Sequence, residues 1–133
     1  MSENISKKVV YLATPISINP DCPEAGKLTP WAVFTNCIAA HLVARRLWKS
    51  GLVVISPASN TMFMDGADIE SNTYYYGDLE IVKRCDAVFL NKGWEDSKGC
   101  NLERNFAIEN NIPVFTDETE LLRWANENFV PVV

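Results

Sequence analysis

The sequence predicts an α/β fold, a Rossmann-like (flavodoxin-like) three-layer sandwich around a parallel sheet of four or five strands. Short runs of β-branched and aromatic residues alternate along the chain with longer segments of helical periodicity. Such alternation is typical of βαβ units, whose helices cover both faces of a parallel sheet. The length of 133 residues suits one core. We therefore interpret residues 1–133 as a single domain.

Four short apolar runs are the predicted strands. They are rich in Val, Ile, Leu, Phe and Tyr, which favour strands, and they span residues 8–13, 52–56, 87–91 and 113–115. Residues 129–133 form a further apolar run. We interpret this last run as either a short fifth strand or a packed tail.

Helical spacing of apolar residues predicts the helices between these strands. The first spans residues 30–50, with Thr29 as its N-cap, Pro30 in its first position and Gly51 after its end. The other predicted helices span residues 73–84, with Asn72 or Thr73 as cap, 98–110, with Ser97 as cap, and about 118–128, after Asp117 or Thr119.

Composition narrows the classes of function. The net charge of -5 argues against a partner that is a nucleic-acid polymer, because such a partner requires a basic face. A small anionic ligand stays compatible with this charge, since one helix N-terminus can bind a phosphate. No apolar stretch is long enough for a membrane span, and no signal-peptide core is present. The chain's four cysteines lack the spacing of metal or redox motifs. We therefore expect a cytoplasmic protein with reduced thiols, no metal and no cofactor.

A ligand site is expected at one edge of the sheet. In open parallel sheets the ligand binds beyond the carboxyl ends of the strands, near the switch in strand order. Three segments should gather there, residues 14–17, 56–71 and 91–100. The middle segment is a long irregular stretch, and long loops in compact domains are often functional.

Two carboxylates occupy positions on the apolar faces of their predicted helices. Asp78 shares a face with Ile81 and Val82, and Glu103 lies one turn before Phe106 and Ala107. A carboxylate that points inward is costly unless it is paired or hydrogen-bonded. Periodicity alone leaves two readings open for each acid, a capping or salt-bridging role and a place in an active site.

The segment from residue 93 to 103 carries further candidate binding residues. Ser97 and Gly99 lie at a strand-to-helix turn, where a hydroxyl, closely approachable N–H groups and the helix dipole suit a phosphate or a hydroxyl-rich ligand. A simple N-cap explains Ser97 equally well. Trp94 can stack on a base or close the core at the rim.

The order of these motifs resembles the nucleoside 2-deoxyribosyltransferase-like superfamily, which includes nucleoside 5′-monophosphate N-glycosidases. Residues 10–15 (Val-Tyr-Leu-Ala-Thr-Pro) resemble its first strand and turn, and residues 50–57 its second strand. Asp78, residues 85–88 and the pattern Gly-Trp-x-x-Ser-x-Gly-x-x-x-Glu over residues 93–103 resemble its active-site stretch. Residues 111–114 are similar to its next strand, so the resemblance covers nearly the whole chain.

The resemblance implies roles for individual residues. It makes Glu103 the nucleophile that attacks the anomeric carbon, Asp78 the acid that contacts the leaving base, and Tyr11 the residue that orients the nucleophile. Ser97 corresponds to a position that binds the 5′-phosphate in the nucleotide hydrolases. Gly99 belongs to the same pattern.

Further expectations concern the rim and the assembly of the chain. We expect Pro15, Trp94 and Ser56 to contact the substrate from the rim. The sequence departs from the family pattern at Thr14, where Gly is common, and at Asn101, where a small residue is usual. Related enzymes often complete the pocket from a neighbouring subunit, so the resemblance implies a homodimer or a higher homo-oligomer.

The predicted activity is cleavage or transfer of the N-glycosidic bond of a nucleoside or nucleoside 5′-monophosphate. A carboxylate near the anomeric carbon stabilises an oxocarbenium-like state, and an acid with a raised pKa protonates the leaving group. Whether water or a second base receives the sugar stays open. One alternative is a non-catalytic nucleotide-binding or sensing module on the same fold, and another is hydrolysis of a larger nucleotide.

Overall fold

The structure is a computed structural model that describes residues 4–16, 29–61, 64, 68–127 and 129–131. Its strands are β1 (Asn4–Ser6), β2 (Val9–Ala13), β3 (Val53–Ile55), β4 (Ala87–Leu90), β5 (Val114–Phe115) and β6 (Phe129–Pro131). Its α-helices are α1 (Pro30–Lys49), α2 (Pro57–Asn60), α3 (Ser71–Arg84), α4 (Lys98–Glu109) and α5 (Glu118–Asn126). A single 3₁₀ turn, Trp94–Asp96, precedes α4.

The predicted parallel sheet is confirmed, with four strands in the order β3-β2-β4-β5. Val10 pairs with Val54 on one side and with Ala87 on the other, so β2 lies at the centre of the sheet. The chain adds β3 to one edge of β2 and then crosses over to add β4 to the other edge. The switch in strand order therefore lies at β2, and the carboxyl ends of β2 and β4 flank the expected crevice.

The sheet is covered on both faces, as the sequence predicted. Alternation along β2 sends Val10 and Leu12 to the face covered by α1 and α5, where they pack with Leu47 and Leu121. Tyr11 and Ala13 point to the other face. There the partners come from α3 and α4, and they include Val82, Cys100 and Ala107. This alternation places Tyr11 in the same layer as the two helices that carry Asp78 and Glu103.

Three of the predicted helix starts are confirmed with their caps. The Thr29 hydroxyl accepts from the Ala32 N–H at 3.2 Å, and the Asp117 carboxylate accepts from the Thr119 N–H at 2.7 Å. Ser97 caps α4. Gly51 has the positive φ of 89° that the end of α1 requires.

The predicted start of α3 is wrong. The helix begins at Ser71, and Glu70 occupies the cap position in place of Asn72 or Thr73. The Glu70 backbone carbonyl accepts from the Thr73 N–H at 3.0 Å, and its side chain makes no capping hydrogen bond. Because no side chain caps this helix, its boundary has no local signal among the neighbouring residues.

The chain termini form a separate ribbon. β6 pairs in antiparallel orientation with β1, with Ile5 opposite Val130, and neither strand joins the parallel sheet. The last apolar run is thus a strand, but not a fifth strand of the main sheet. The short helix α2 and strand β1 were not predicted, and the expected loop over residues 17–28 lies outside the described residues. No helix in the described part of the chain has the length and apolar character to cross a bilayer.

Candidate active site

A cavity of about 540 Å³ opens at the carboxyl edge of the sheet. Residues from all three segments expected at this rim line it, in the parts that the structure describes. They include Thr14 and Ile16 after β2, Pro57 and Thr61 around α2, and residues 96–100 before and within the first turn of α4. Helices α1 and α3 supply the remaining walls. The predicted convergence of segments therefore takes place.

Glu103 lies in the second turn of α4 and lines the cavity. Burial raises the pKa of its carboxyl group to about 7, the nearby Tyr11 hydroxyl opposes this rise, and the charge of Asp78 adds to it. Its Oε2 atom is buried and has no formed hydrogen bond. Among the described residues, no cation pairs with this carboxylate. Glu103 therefore forms no salt bridge within the described part of the chain.

Asp78 reaches the same cavity from α3. Partial burial raises the pKa of its carboxyl group to about 6. It also acts electrostatically on both Glu103 and Tyr11, which places three ionisable groups in one locality. The two helices thus bring together the pair of acids that helical spacing singled out.

Tyr11 is fully buried behind the cavity and does not line it. Burial raises the pKa of its phenol strongly, and the negative charges of Glu103 and Asp78 add to the rise. Its hydroxyl is close enough to Glu103 to lower the pKa of that carboxyl group as a donor. The hydroxyl makes no formed hydrogen bond and is an unsatisfied buried group. Tyr11 therefore lies beside Glu103, outside the cavity wall.

Ser97 combines its capping role with a place in the cavity wall. Its hydroxyl oxygen accepts from the Cys100 N–H at 3.2 Å, and the residue lines the cavity. This bond uses the hydroxyl as an acceptor, and the same hydroxyl also lies close enough to the Cys100 side chain to oppose the rise in the pKa of that thiol. The two readings of Ser97 are thus compatible.

Gly99 keeps the space between Ser97 and Glu103 open. A β-carbon at Gly99 would lie 3.9 Å from the Ser97 hydroxyl oxygen and 3.8 Å from Glu103 Oε1. These are ordinary van der Waals distances, so the backbone tolerates a methyl group there. The space itself would be filled, and a ligand atom that approaches both groups would be excluded.

Three other predicted contact residues do not line the cavity: Pro15, Trp94 and Ser56. The Pro15 ring packs against Gly93, whose φ of 90° starts the 3₁₀ turn. The indole of Trp94 packs on the core cluster beside α3 and α4. Ser56 is buried at the start of α2, and its hydroxyl has no hydrogen bond. All three residues therefore lie outside the cavity wall.

The sequence did not single out the apolar wall that α1 contributes. Pro30, Val33 and Phe34 line the cavity there, together with the polar residues at the start of α4. The charged residues Asp96 and Lys98 also line it, and neither was among the predicted contact residues. Their positions directly before and after the α4 N-cap, at the carboxyl edge of the sheet, could have identified them as cavity-lining residues.

The arrangement provides two carboxyl groups that titrate in the same pH range on opposite helices of one cavity. Such a pair can divide the roles of nucleophile and proton donor. In the described part of the chain, no cluster of three His, Cys, Asp or Glu side chains is placed to hold a metal ion.

The fold is similar to those of two solved 2-deoxyribosyltransferases. One, from Leishmania mexicana, matches with 19% identity and a TM-score of 0.54 over 82% of this chain, which spans only 63% of that protein. The other, from the psychrotolerant bacterium Bacillus psychrosaccharolyticus, matches with 18% identity and a TM-score of 0.55, over 94% of this chain and 99% of that one. The chain thus has a nucleoside 2-deoxyribosyltransferase-like fold.

No curated protein matches the sequence. A family model does match it, over residues 8–116, which span the whole parallel sheet and every described wall of the cavity. By this match the chain belongs to the family described as a domain of unknown function (DUF4406).

Proposed function

We propose that this protein cleaves or exchanges the N-glycosidic bond of a nucleoside or nucleoside 5′-monophosphate, with Glu103 as nucleophile and Asp78 as general acid. One observation carries the proposal. Both acids line one cavity without a cationic partner among the described residues, and the pKa of each is raised, to about 7 and about 6. A purely structural acid is normally paired or hydrogen-bonded, because an unpaired buried carboxylate is costly. Such perturbed groups in a cleft are typical of functional sites.

The first step forms a glycosyl ester. A carboxylate oxygen of Glu103 attacks the anomeric carbon, and the bond from that carbon to the base nitrogen breaks with its electron pair going to the base. The carboxylic acid of Asp78 gives its proton to the departing base. In the second step, water or another base attacks the same carbon and releases the Glu103 carboxylate. The proton lost by the incoming group returns to Asp78.

The polarity of the cavity walls orients such a substrate. The apolar side formed by Pro30, Val33 and Phe34 suits the flat face of a heterocyclic base. The Ser97 hydroxyl and the N-terminus of α4 suit the oxygens of the sugar or of a 5′-phosphate. Glu103, one turn further along α4, then lies beside the anomeric carbon between them.

The test is to incubate the protein with a panel of nucleosides and 5′-monophosphates and to follow free base by chromatography. We expect base release by the native protein and its loss in Glu103→Ala. Release that is undiminished in Glu103→Ala contradicts the proposal. Addition of a second free base separates the two reactions, since a transferase forms a new nucleoside and a hydrolase forms only free sugar. Binding by calorimetry without any product identifies instead a non-catalytic nucleotide-binding module.

We also propose that the protein forms a homodimer through α1. Trp31, Ile38 and Leu42 lie on one face of this helix and are 71%, 38% and 54% exposed. Phe34, on the same side, lines the cavity, so a second copy that covers this face also reaches the cavity mouth. A monomeric mass in solution at working concentration contradicts this assembly. An unchanged dimer in Leu42→Asp would reject the α1 face.

The compartment we propose for this activity is the cytoplasm. Cys85 and Cys100 are buried and carry no disulfide, which is the state expected in a reducing compartment. Fractionation of cells that express a tagged full chain tests this location.

A further inference from the structure

The side-chain amide of Asn101 donates hydrogen bonds to three backbone carbonyls at the rim of the cavity. Its Nδ2 lies 3.2 Å from the Trp94 carbonyl oxygen, 3.0 Å from that of Glu95 and 2.9 Å from that of Ser97. An amide nitrogen has two hydrogens, so one of them is shared between two acceptors. The opposite amide orientation would set an oxygen against three oxygens, and the contacts therefore fix which way the side chain points.

These contacts join α4 to the 3₁₀ turn Trp94–Asp96, and the segment so held contributes to the cavity. Asp96 and Ser97 both line the cavity at its mouth. Within the turn itself, the Asp96 N–H donates to Gly93 at 3.3 Å and the Ser97 N–H donates to Trp94 at 3.0 Å. A turn with two backbone hydrogen bonds of this kind has little stability of its own, so its position depends on what anchors it.

A second, independent contact ties the turn to the same face of α4. The Arg104 guanidinium carbon lies 5.5 Å from the centre of the Trp94 ring, within the range of a cation–π interaction. Arg104 follows Asn101 by three residues and is therefore its neighbour on the helix surface. Glu103 follows Asn101 by two residues, about 200° around the helix, and faces the cavity instead.

We propose that Asn101 is a positioning residue that holds the Trp94–Asp96 turn on α4, so that Asp96 and the Ser97 hydroxyl stay in place for the substrate. This role rests on the proposed function, because the substrate in question is the proposed nucleoside or nucleoside 5′-monophosphate. Helix α4, which carries Glu103, thereby also holds the Trp94–Asp96 turn. The distance from Glu103 to Asp96 and Ser97 is therefore kept constant. Loss of the Asn101 amide frees the rim without moving Glu103.

The test compares Asn101→Ala with Asn110→Ala, an exposed asparagine at the end of α4 whose Nδ2 donates to the Phe106 carbonyl oxygen at 2.8 Å. We expect Asn101→Ala to raise KM by roughly fivefold, the factor that corresponds to one net hydrogen bond. The kcat and its dependence on pH should match the native protein. Amide hydrogen exchange at Asp96 and Ser97 should become faster in Asn101→Ala and stay unchanged in Asn110→Ala. A lower melting temperature with unchanged KM, or a loss confined to kcat, overturns the role.

A second variant, Asn101→Ser, tests the proposal in case Asn101→Ala fails to fold. In Asn101→Ser the hydroxyl reaches only the carbonyl four residues earlier, that of Ser97, so the carbonyls of Trp94 and Glu95 lose their donor. The same rise in KM is expected, and its absence contradicts the proposal.

The two proposals can fail separately. If the native protein releases no base from any nucleoside or 5′-monophosphate, the proposed reaction is wrong, and calorimetry with the same compounds replaces KM. Weaker binding by Asn101→Ala together with faster exchange at Ser97 then supports the positioning role. Equal binding, or no binding by either protein, overturns it.

Discussion

Gly99 stands one helical turn before Glu103 at a point where its missing side chain leaves room beside the carboxylate. A β-carbon there would lie 3.8 Å from Glu103 Oε1 and 3.9 Å from the Ser97 hydroxyl oxygen. The glycine is not needed for the helix, since an L-residue fits without a clash. Its value lies in the space that it leaves between the proposed nucleophile and the proposed binding hydroxyl.

Gly99→Ala should therefore stabilise the protein and reduce its activity. Alanine in a helix is favoured over glycine by about 0.5–1 kcal/mol, so the melting temperature should rise by a few degrees. The methyl group fills the space between Ser97 and Glu103, and base release should fall about tenfold or more. Thermal melting and the release assay measure the two effects.

Gly77→Ala is the matched control for this change. Gly77 lies in α3, and a β-carbon there would meet nothing within 4 Å. The variant should show the same gain in melting temperature with unchanged base release. A parallel loss of activity in both variants would mean that the space at Gly99 has no special role.

Removal of the Glu103 charge should stabilise the protein at alkaline pH. The pKa of Glu103 in the folded state, about 7, lies above the ordinary value of 4.5, so folding is favoured below pH 4.5 and loses this contribution as pH rises through 7. Glu103→Gln has no such penalty. At pH 8 it should exceed the native protein in free energy of unfolding by about 3 kcal/mol, and the difference should vanish near pH 4.

Urea denaturation at several pH values measures this difference. Glu109→Gln, a change at an exposed position on the same helix, serves as the control. A Glu103→Gln variant that is less stable than the native protein at pH 8 would show that Glu103 makes a stabilising contact.

The rate of base release should follow a bell-shaped curve in pH. Protonation of Glu103 removes the nucleophile on the acid side, and deprotonation of Asp78 removes the general acid on the alkaline side. The pKa of Glu103, about 7, lies above that of Asp78, about 6, so the form with Glu103 ionised and Asp78 protonated is a minor fraction of the protein even at the maximum. The two acids act on each other, and the limbs therefore belong to the pair. Measurement of kcat/KM from pH 4.5 to 9 gives the limbs. A plateau that extends to pH 9 would rule out Asp78 as the proton donor.

Tyr11→Phe should slow base release on the acid side of the maximum and leave folding intact. The hydroxyl lowers the pKa of Glu103, so its loss raises that pKa further and leaves a smaller fraction of Glu103 ionised below pH 7. The hydroxyl is buried without a formed hydrogen bond, and its removal therefore leaves no unpaired partner behind. The melting temperature should be equal to or above that of the native protein. An unchanged rate on the acid side of the maximum would contradict an action of Tyr11 on Glu103.

Local patterns in the sequence were enough for the sheet, most helices and the pair of acids. The alternating and helical spacing of apolar residues depends only on neighbouring residues, and so do the caps Thr29, Ser97 and Asp117. The structure contains the elements that these local patterns predict. Asp78 and Glu103 could be found because each interrupts an apolar face. The start of α3 was missed because its cap position holds Glu70, which gives no capping signal.

Other features depend on partners that are distant in the chain. The pairing of β6 with β1 joins the two ends, and no local pattern distinguishes that ribbon from a fifth strand of the sheet. The apolar residues of α1 line the cavity together with residues of α3 and α4, which are distant from them in the sequence. Trp94 was expected near the ligand, yet the structure packs its ring on the core under Arg104.

Patterns over a few neighbouring residues predict the α/β class, the segments that form the parallel strands and the two acids that interrupt apolar faces. Tertiary packing brings these acids into one cavity with no ion-pair partner among the described residues, sets Tyr11 beside Glu103 and lets Asn101 join the rim to α4. Burial and the distance between charges fix a carboxyl pKa, and both exist only once separate helices have packed on the same face of the sheet.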